Sequence, residues 1–461
     1  MIMNKTERTM MQEQAPDTRR HNFLEVALGY TGDEAFNEAM RCIECKNPRC
    51  VKACPVNIDI PAFIKALKDE SVEKAFEIIY EDNILPSICG RVCPQESQCE
   101  GACVLGIKGE SVSIGALERF VGDYGMENDL AKTTPPPSNG RKVAVVGSGP
   151  AGLANAASMR KKGYDVTLFE ALHAYGGVLR YGIPDFRLPK AIVDKEIANL
   201  KTMGVTFVKN AIIGKTLTIP QLFEEGYEAV FIGSGAGLPK ALRIPGENLN
   251  GVYYANEFLT RVNLMRSRGF PESSDTPIKL GDTVCVVGGG NVAMDAARTA
   301  KRLGAKNVFI AYRRDESALP ARLAEIHHAK EEGIDFRLLR NPVEIKGSDR
   351  EVKEVVCEIM ELGEKDASGR HRPLPTGTFE TYPIDSIIVS IGQKPNPILK
   401  RSTDALKTES WGGIITDETY RTSMEGVYAG GDVVSGAATV ILAMGAGKDA
   451  ADQMEAYLNR S

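Results

Sequence analysis

The sequence reads as an α/β protein of two parallel-sheet units, the second inserted in the first, behind a helical, cysteine-bearing domain. Three observations carry that reading. Eight of the ten cysteines fall between Cys42 and Cys103. A strand, a glycine turn and a helix, Val143-Ala-Val-Val-Gly-Ser-Gly-Pro-Ala-Gly152, open the region after a proline-rich break. The same arrangement returns at Val284-Cys-Val-Val-Gly-Gly-Gly-Asn-Val-Ala293.

The elements follow in order. Residues 1–132 have helical texture. Ile60-Pro-Ala-Phe-Ile-Lys-Ala-Leu-Lys68 places apolar residues at helical spacing behind Asp59, which is suited to cap the helix. Residues 133–140 hold three consecutive prolines, which cannot donate hydrogen bonds or continue a helix, and read as a linker. From Lys142 the chain turns to short β-branched runs that end in glycines and alternate with helical segments, the texture of buried parallel strands. The later clusters Gly233-Ser-Gly-Ala-Gly237 and Gly430-Gly-Asp432 close strands expected to return to the first sheet. The first unit is therefore assigned 141–251 and 385–461, and the inserted one 252–384.

Composition narrows the function. The chain has 461 residues and a formal charge of 56 − 61 = −5. No basic footprint for phosphates exists, which argues against a nucleic-acid protein. No apolar run reaches the 18 or so residues that a bilayer-spanning helix needs. The first thirty residues lack the apolar core of a signal peptide, so a cytoplasmic location is expected and no membrane partner.

Each glycine turn predicts a dinucleotide site. Gly147 permits the tight turn, Gly149 lets the backbone approach a pyrophosphate, and Gly152 allows close packing of helix on strand. The anion would rest on the helix N-terminus. The following strand, Val166-Thr-Leu-Phe-Glu170, ends in a carboxylate placed to accept ribose hydroxyls. The second unit differs where it matters. Gly288 and Gly290 are followed by Asn291 and by Ala293 in the third place. Its next strand ends in Tyr312-Arg313-Arg314, where two guanidiniums would bind a 2′-phosphate that a carboxylate would repel. Two Rossmann-like dinucleotide-binding domains of unlike ribose chemistry suggest resident FAD and exchanging NADPH. Hydride transfer between them requires orientation and electrostatics rather than a nucleophile. The histidines show no ligand spacing, and His327-His328 is expected on a solvated helix.

The cysteines form two runs, Cys42-x2-Cys45-x4-Cys50-x3-Cys54-Pro55 and Cys89-x3-Cys93-Pro94-x4-Cys99-x3-Cys103. Eight thiolates suit two [4Fe–4S] clusters, and the first run is close to the bacterial ferredoxin run, whose fourth cysteine serves the other cluster. Cys42, Cys45 and Cys50 are thus expected on one cluster and Cys54 on the second. Structural zinc is the alternative, since four-cysteine zinc sites also use C-x2-C. Cys285 and Cys357 stand apart from both runs, so no redox-active pair is expected beside the flavin, and electrons must leave singly.

At this point the chain resembles a known family. Ala39-Met-Arg-Cys-Ile-Glu-Cys45, Ile88-Cys-Gly-Arg-Val-Cys-Pro94, Gly176-Gly-Val-Leu-Arg-Tyr-Gly-Ile-Pro184 and Gly426-Val-Tyr-Ala-Gly-Gly-Asp432 are similar to segments of the small subunit of NADPH-dependent glutamate synthase. They are equally similar to the large subunit of the bifurcating NADH-dependent ferredoxin:NADP oxidoreductase and to the N-terminal half of dihydropyrimidine dehydrogenase. The resemblance implies one cluster on Cys42, Cys45, Cys50 and Cys103. It implies a second on Cys54, Cys93, Cys99 and a non-cysteine ligand, Glu118, with Cys89 beside it. It also implies that the segment from Gly177 through Arg180, Tyr181 and Gly182 to Arg187 passes the flavin. Gly431 and Asp432 should meet the ribityl chain, and the helix from Thr439 should point its positive end at the flavin. The expected activity is an NADPH-oxidising electron-input subunit. Its partner is a large glutamate synthase subunit or, alternatively, a small flavoprotein with a [2Fe–2S] cluster. A zinc-containing, non-redox scaffold is the remaining alternative.

Overall fold

The computed structural model describes residues 6–131, 134, 136–366 and 369–460. Thr133 and Pro135 of the expected linker lie outside the described residues. The chain begins with an arm made of strand β1 (Gln12–Glu13), the short helix α1 (Pro16–Arg19) and strand β2 (Ala27–Gly29), which pairs back on β1. Helices α2 (Gly32–Ala39), α3 (Arg49–Ala53), α4 (Ile60–Lys68), α5 (Val72–Asp82), α6 (Pro86–Val92) and α7 (Ile114–Glu127) follow. The expected α4 is present. The Asp59 carboxylate accepts the Ala62 N–H at 3.2 Å, and Ile60, Phe63, Ile64 and Leu67 form its buried stripe.

The first α/β unit runs β3 (Lys142–Val146), α8 (Pro150–Lys161), β4 (Asp165–Phe169), α9 (Val178–Tyr181), α10 (Lys190–Thr202), β5 (Thr206–Val208), α11 (Ile219–Glu224), β6 (Tyr227–Ile232) and β7 (Leu238–Pro239). The inserted unit runs β8 (Val252–Tyr254), α12 (Ala255–Asn263), β9 (Thr283–Val287), α13 (Asn291–Arg302), β10 (Asn307–Tyr312), α14 (Leu323–Glu331) and β11 (Asp335–Leu338). An antiparallel sheet of β12 (Arg340–Ser348), β13 (Glu351–Lys365) and β14 (His371–Pro383) comes next, and then β15 (Ser386–Val389). The chain returns through β16 (Gln393–Lys394), α15 (Ile398–Ser402), β17 (Val427–Ala429), α16 (Asp432–Ser435) and α17 (Val440–Leu458).

Both main sheets are parallel. The first has the order β17-β6-β3-β4-β5, so the strands that end at Gly233 and Gly430 do rejoin the first unit. The second has the order β11-β10-β9-β15-β8. Here one expected boundary moves. β15 pairs with β9 and β8, so the inserted unit runs on through Val389 instead of ending at 384. A short apolar run such as Ser-Ile-Ile-Val suits a buried strand of either sheet, and nothing local chooses between them. β7 and β16 pair antiparallel, which lays the two crossings between units side by side.

Apolar packing joins the amino-terminal helices to the first unit. Ile64, Leu85 and Cys93 belong to the same buried cluster as Leu153, Ala157 and Ile441. Among the described residues no helix is long and apolar enough to cross a membrane.

Candidate cofactor and cluster sites

The thiols sort into two sets. Cys42 and Cys45 lie on the loop after α2, Cys50 in the first turn of α3, and Cys103 ahead of a 3-10 turn. These four line one apolar cavity with Ile60, Ile64, Val112 and Ile114. Burial pushes the Cys50 thiol up to about 11, and the neighbouring Cys103 and Cys42 add to the rise. Cys54 sits at the C-cap of α3, is buried, and does not line that cavity. Its thiol is likewise pushed up to about 11 by burial, and the charges it feels are those of Glu118 and Cys93. Burial also raises Cys99, whose charged neighbours include Glu118, Cys93 and Cys54. Cys93 donates a hydrogen bond to Cys89, and that bond, with burial, raises its thiol.

Glu118 completes the second set. It projects from α7 into the interior, where its Oε1 accepts the Asn83 amide at 2.6 Å, and burial pushes it up to about 8. These buried groups stand where ionisation is disfavoured, and no lysine or arginine salt-bridges Glu118 among the described residues. Irons would supply the missing positive charge, and deprotonation of the thiols comes with metal binding. The donor set therefore fits iron–sulfur clusters. Among the described residues no three such side chains converge as around a single ion. In a four-iron cluster each thiolate takes its own iron, so the ligands stand apart.

The first glycine turn is built as expected. Gly147 has φ +101°, open to glycine and strained for other residues. A Cβ on Gly152 would be driven into the Gly147 carbonyl, whereas one on Gly149 would meet nothing. The space over Gly149, at the start of α8, is the cradle. The Glu170 carboxylate closes it from the side. It accepts the Ser148 N–H at 3.0 Å and the Leu172 N–H at 2.8 Å, and it also bonds the Ser148 hydroxyl. Ser148 in turn accepts the Gly176 N–H at 2.9 Å, so Gly177 lies against Gly149. The glycine spacing does not name Ser148, although a serine between the two glycines is a signal in the sequence.

Tyr181 reaches the same place. Burial, with the charges of Glu170 and Asp432, pushes its hydroxyl up to about 12. Gly182 follows at the C-cap of α9. Gly431 precedes α16 and packs on Ala151 of α8. Asp432 accepts the Ala438 N–H at 3.3 Å, and Thr439 caps α17 by accepting the Leu442 N–H at 3.3 Å. Arg180 and Arg187 are both committed elsewhere. Arg180 pairs with Asp194 and with the Tyr175 carbonyl, and Arg187 pairs with Asp295 and Glu325 of the inserted unit.

The second turn repeats the first. Gly288 has φ +134°, and the space over Gly290 is open apart from Pro320 at 3.9 Å. Ala293 is fully buried, and the Asn291 side chain accepts the Arg322 N–H at 2.9 Å. The two arginines expected to share a 2′-phosphate part company. Arg313 is exposed, while Arg314 is buried on the His371 carbonyl (2.9 Å) and the Asp366 carboxylate (3.2 Å). The histidine pair also divides. His327 is solvated on α14, but His328 is buried and bonded to Glu13 at 2.9 Å, because the arm covers that face. Cys285 and Cys357, distant in sequence, meet in one apolar cluster between β9 and β13.

Two open glycine cradles on twin parallel sheets, beside one buried and one half-buried thiol set, define a two-dinucleotide reductase with an iron–sulfur domain. Residues 141–447 match the pyridine nucleotide-disulphide oxidoreductase family, and residues 19–130 match dihydropyrimidine dehydrogenase domain II, 4Fe–4S cluster. The chain is 36% identical over 452 residues to the glutamate synthase [NADPH] small chain of Halomonas elongata, covering 96% of this chain and 94% of that one. It is 35% identical over 453 residues to the corresponding small chain of Escherichia coli, covering 95% of each. Among solved structures, FprA of Mycobacterium tuberculosis in complex with NADPH aligns with a TM-score of 0.59 at 23% identity, over 70% of this chain and 85% of that one. That likeness concerns the fold. The chain belongs to the family of the NADPH glutamate synthase small chains. It is an NADPH-dependent oxidoreductase that uses FAD and [4Fe–4S] clusters.

Proposed function

We propose that this chain passes electrons from NADPH, through FAD and two clusters, to a large glutamate synthase subunit in the cytoplasm. Ten free cysteines suit that reducing compartment. In this reading Cys54, Cys93, Cys99 and Glu118 hold the inner cluster, with Cys89 beside it, and Cys42, Cys45, Cys50 and Cys103 hold the outer one. FAD lies over Gly149 between Glu170, Tyr181, Gly431 and Asp432, with Thr439 and α17 aimed at it. NADPH lies over Gly290, with Asn291 and Ala293 at the helix start and Arg313 free for its 2′-phosphate. The domains are then 1–132, 141–251 with 390–461, and 252–389. When bound, the flavin takes a hydride from NADPH and releases electrons one at a time.

The observation that carries this order is the course of α17. Its capping residue, Thr439, opens the turn that packs through Ala443 on Gly431, which lies against Ala151 of α8. Six residues on, about 9 Å along the axis, a Cβ on Gly445 would touch Val56 and the Pro55 carbonyl, immediately after Cys54. The set containing Cys54 is thus nearer the first cradle. The other set is half-buried near exposed Met40, Ile43 and Ile107, where a partner can reach it.

Anaerobically prepared protein should contain FAD, iron and acid-labile sulfide, with about eight irons per chain if each of two clusters holds four. NADPH should bleach the flavin, and adding the large subunit should restore glutamate formation. Zinc without sulfide would overturn the proposal. Selective capture of a [2Fe–2S] flavoprotein in place of the large subunit would favour the bifurcating alternative.

A further inference from the structure

One stretch of chain, Gly176–Leu188, runs between the two glycine turns. Its near end lies on the first cradle through Gly177 and Tyr181, as described above. Its far end is held by the inserted unit. The Asn263 amide of α12 donates to the Tyr181 carbonyl at 3.1 Å, and Arg268 pairs with Asp185 at 2.9 Å. The Phe186 ring is buried under the guanidiniums of Arg302 and Arg298, 4.0 and 4.6 Å from its centroid.

Arg187 makes the firmest of these contacts. Its Nη1 donates to both oxygens of Asp295, at 2.9 and 2.8 Å, and its Nε stands 3.1 Å from Glu325 Oε1. All three side chains are 7% exposed or less. Asp295 is the fifth residue of α13, the helix that opens at Gly290. One side chain therefore joins the loop on the first cradle to the helix that forms the second. A buried ion pair contributes little net stability, but losing one partner strands a charge in the interior, so the pair selects one arrangement over its alternatives.

We propose that Arg187 is a positioning residue for flavin reduction, acting through Asp295 and Glu325 to fix the inserted unit against the flavin loop. The inference rests on the assignment of FAD to the first cradle and NADPH to the second. In the step concerned a hydride, two electrons with one proton, leaves NADPH as NADP+ and is taken up whole by the flavin. Such transfer needs the reacting atoms about 3–3.5 Å apart, and a misplacement of about 1 Å can reduce the rate on the order of a hundredfold. Arg187 need not touch either cofactor to control that distance.

The test is anaerobic stopped-flow bleaching of the FAD-loaded holoenzyme by NADPH, with calorimetric titration of NADP+. In Arg187→Met the limiting rate should fall at least about tenfold while flavin content and NADP+ affinity stay within about twofold, because placement and not binding is lost. Arg187→Lys should recover part of the rate, since it keeps the charge but lacks the fork for two oxygens. Asp295→Asn approaches the contact from the other side and decides the matter if Arg187→Met does not fold. A variant that folds, melts at lower temperature and still bleaches at the wild-type limiting rate would reduce the network to a structural role and sink the proposal. Wild-type protein that NADPH does not bleach at all would instead sink the cofactor assignment beneath it.

Discussion

At the scale of single residues, the same side chain does different work according to what reaches it. Arg313 and Arg314 are adjacent and identical in type, yet one is solvated and the other is held by a hairpin 52 to 57 residues away in sequence. Their substitutions should separate cleanly. Arg313→Ser should raise the KM for NADPH on the order of tenfold and leave that for NADH unchanged, since a charge-assisted hydrogen bond is worth about 1.5–3 kcal/mol. Arg314→Ala should leave cofactor preference alone and lower stability by about 1 kcal/mol, by removing the buried donor to the His371 carbonyl. Steady-state kinetics with both nucleotides, beside urea unfolding, would check the pair. Equal loss of NADPH and NADH use in Arg313→Ser would remove the 2′-phosphate assignment. Glu118 makes the related point for the clusters. In sequence it is one glutamate of a helix, and its burial beside Cys54, Cys93 and Cys99 sets it apart.

At the scale of elements, the glycine turns were the most legible feature, because each glycine answers a local demand. The turn at Gly147, the open face at Gly149 and the helix–strand approach at Gly152 lie within six residues, so spacing alone specifies them. The structure adds a distinction between two of these glycines. Gly149→Ala should fold with a wild-type melting temperature and hold little flavin, since its new methyl points into empty cradle space. Gly152→Ala should not fold normally, since its methyl would strike the Gly147 carbonyl. The ratio of flavin to protein absorbance, read beside thermal melts, distinguishes them. A flavin-replete Gly149→Ala would show that the cradle lies elsewhere. β15 was not singled out from the sequence, and residues from 385 on were assigned to the first unit, whereas the strand belongs to the second sheet. Buried parallel strands are apolar on both faces, and their partners are decided by distant chain.

At the scale of the whole molecule, the seam between the iron–sulfur domain and the first unit contains an acid the sequence does not advertise. Glu196 of α10 is buried, with only a long 3.4 Å bond from Asn199 among the described residues, and it lies near Tyr80 of α5, Asp123 of α7 and its neighbour Lys195. Burial pushes it up to about 8 from an ordinary 4.5. The folded chain therefore keeps this proton while the unfolded chain releases it, and stability falls as pH rises from about 4.5 to about 8. Glu196→Gln does not titrate. It should be more stable than wild type at pH 8, by about 1 kcal/mol or more, and little different at pH 5, as urea midpoints at the two values would show. An advantage of equal size at both pH values would mean that the carboxyl is ionised in the seam.

By itself the sequence determined the two cradles, the eight cluster-type cysteines and the insertion of one unit in the other. Those features are written in spacings of a few residues, where backbone geometry and ligand number leave little choice. Tertiary structure decided which thiols face one another, that His328 and Arg314 are buried, and that Arg187 leaves the flavin loop for Asp295, 108 residues away. Burial and ion pairing depend on which surfaces meet, and at such separations no local pattern records the meeting.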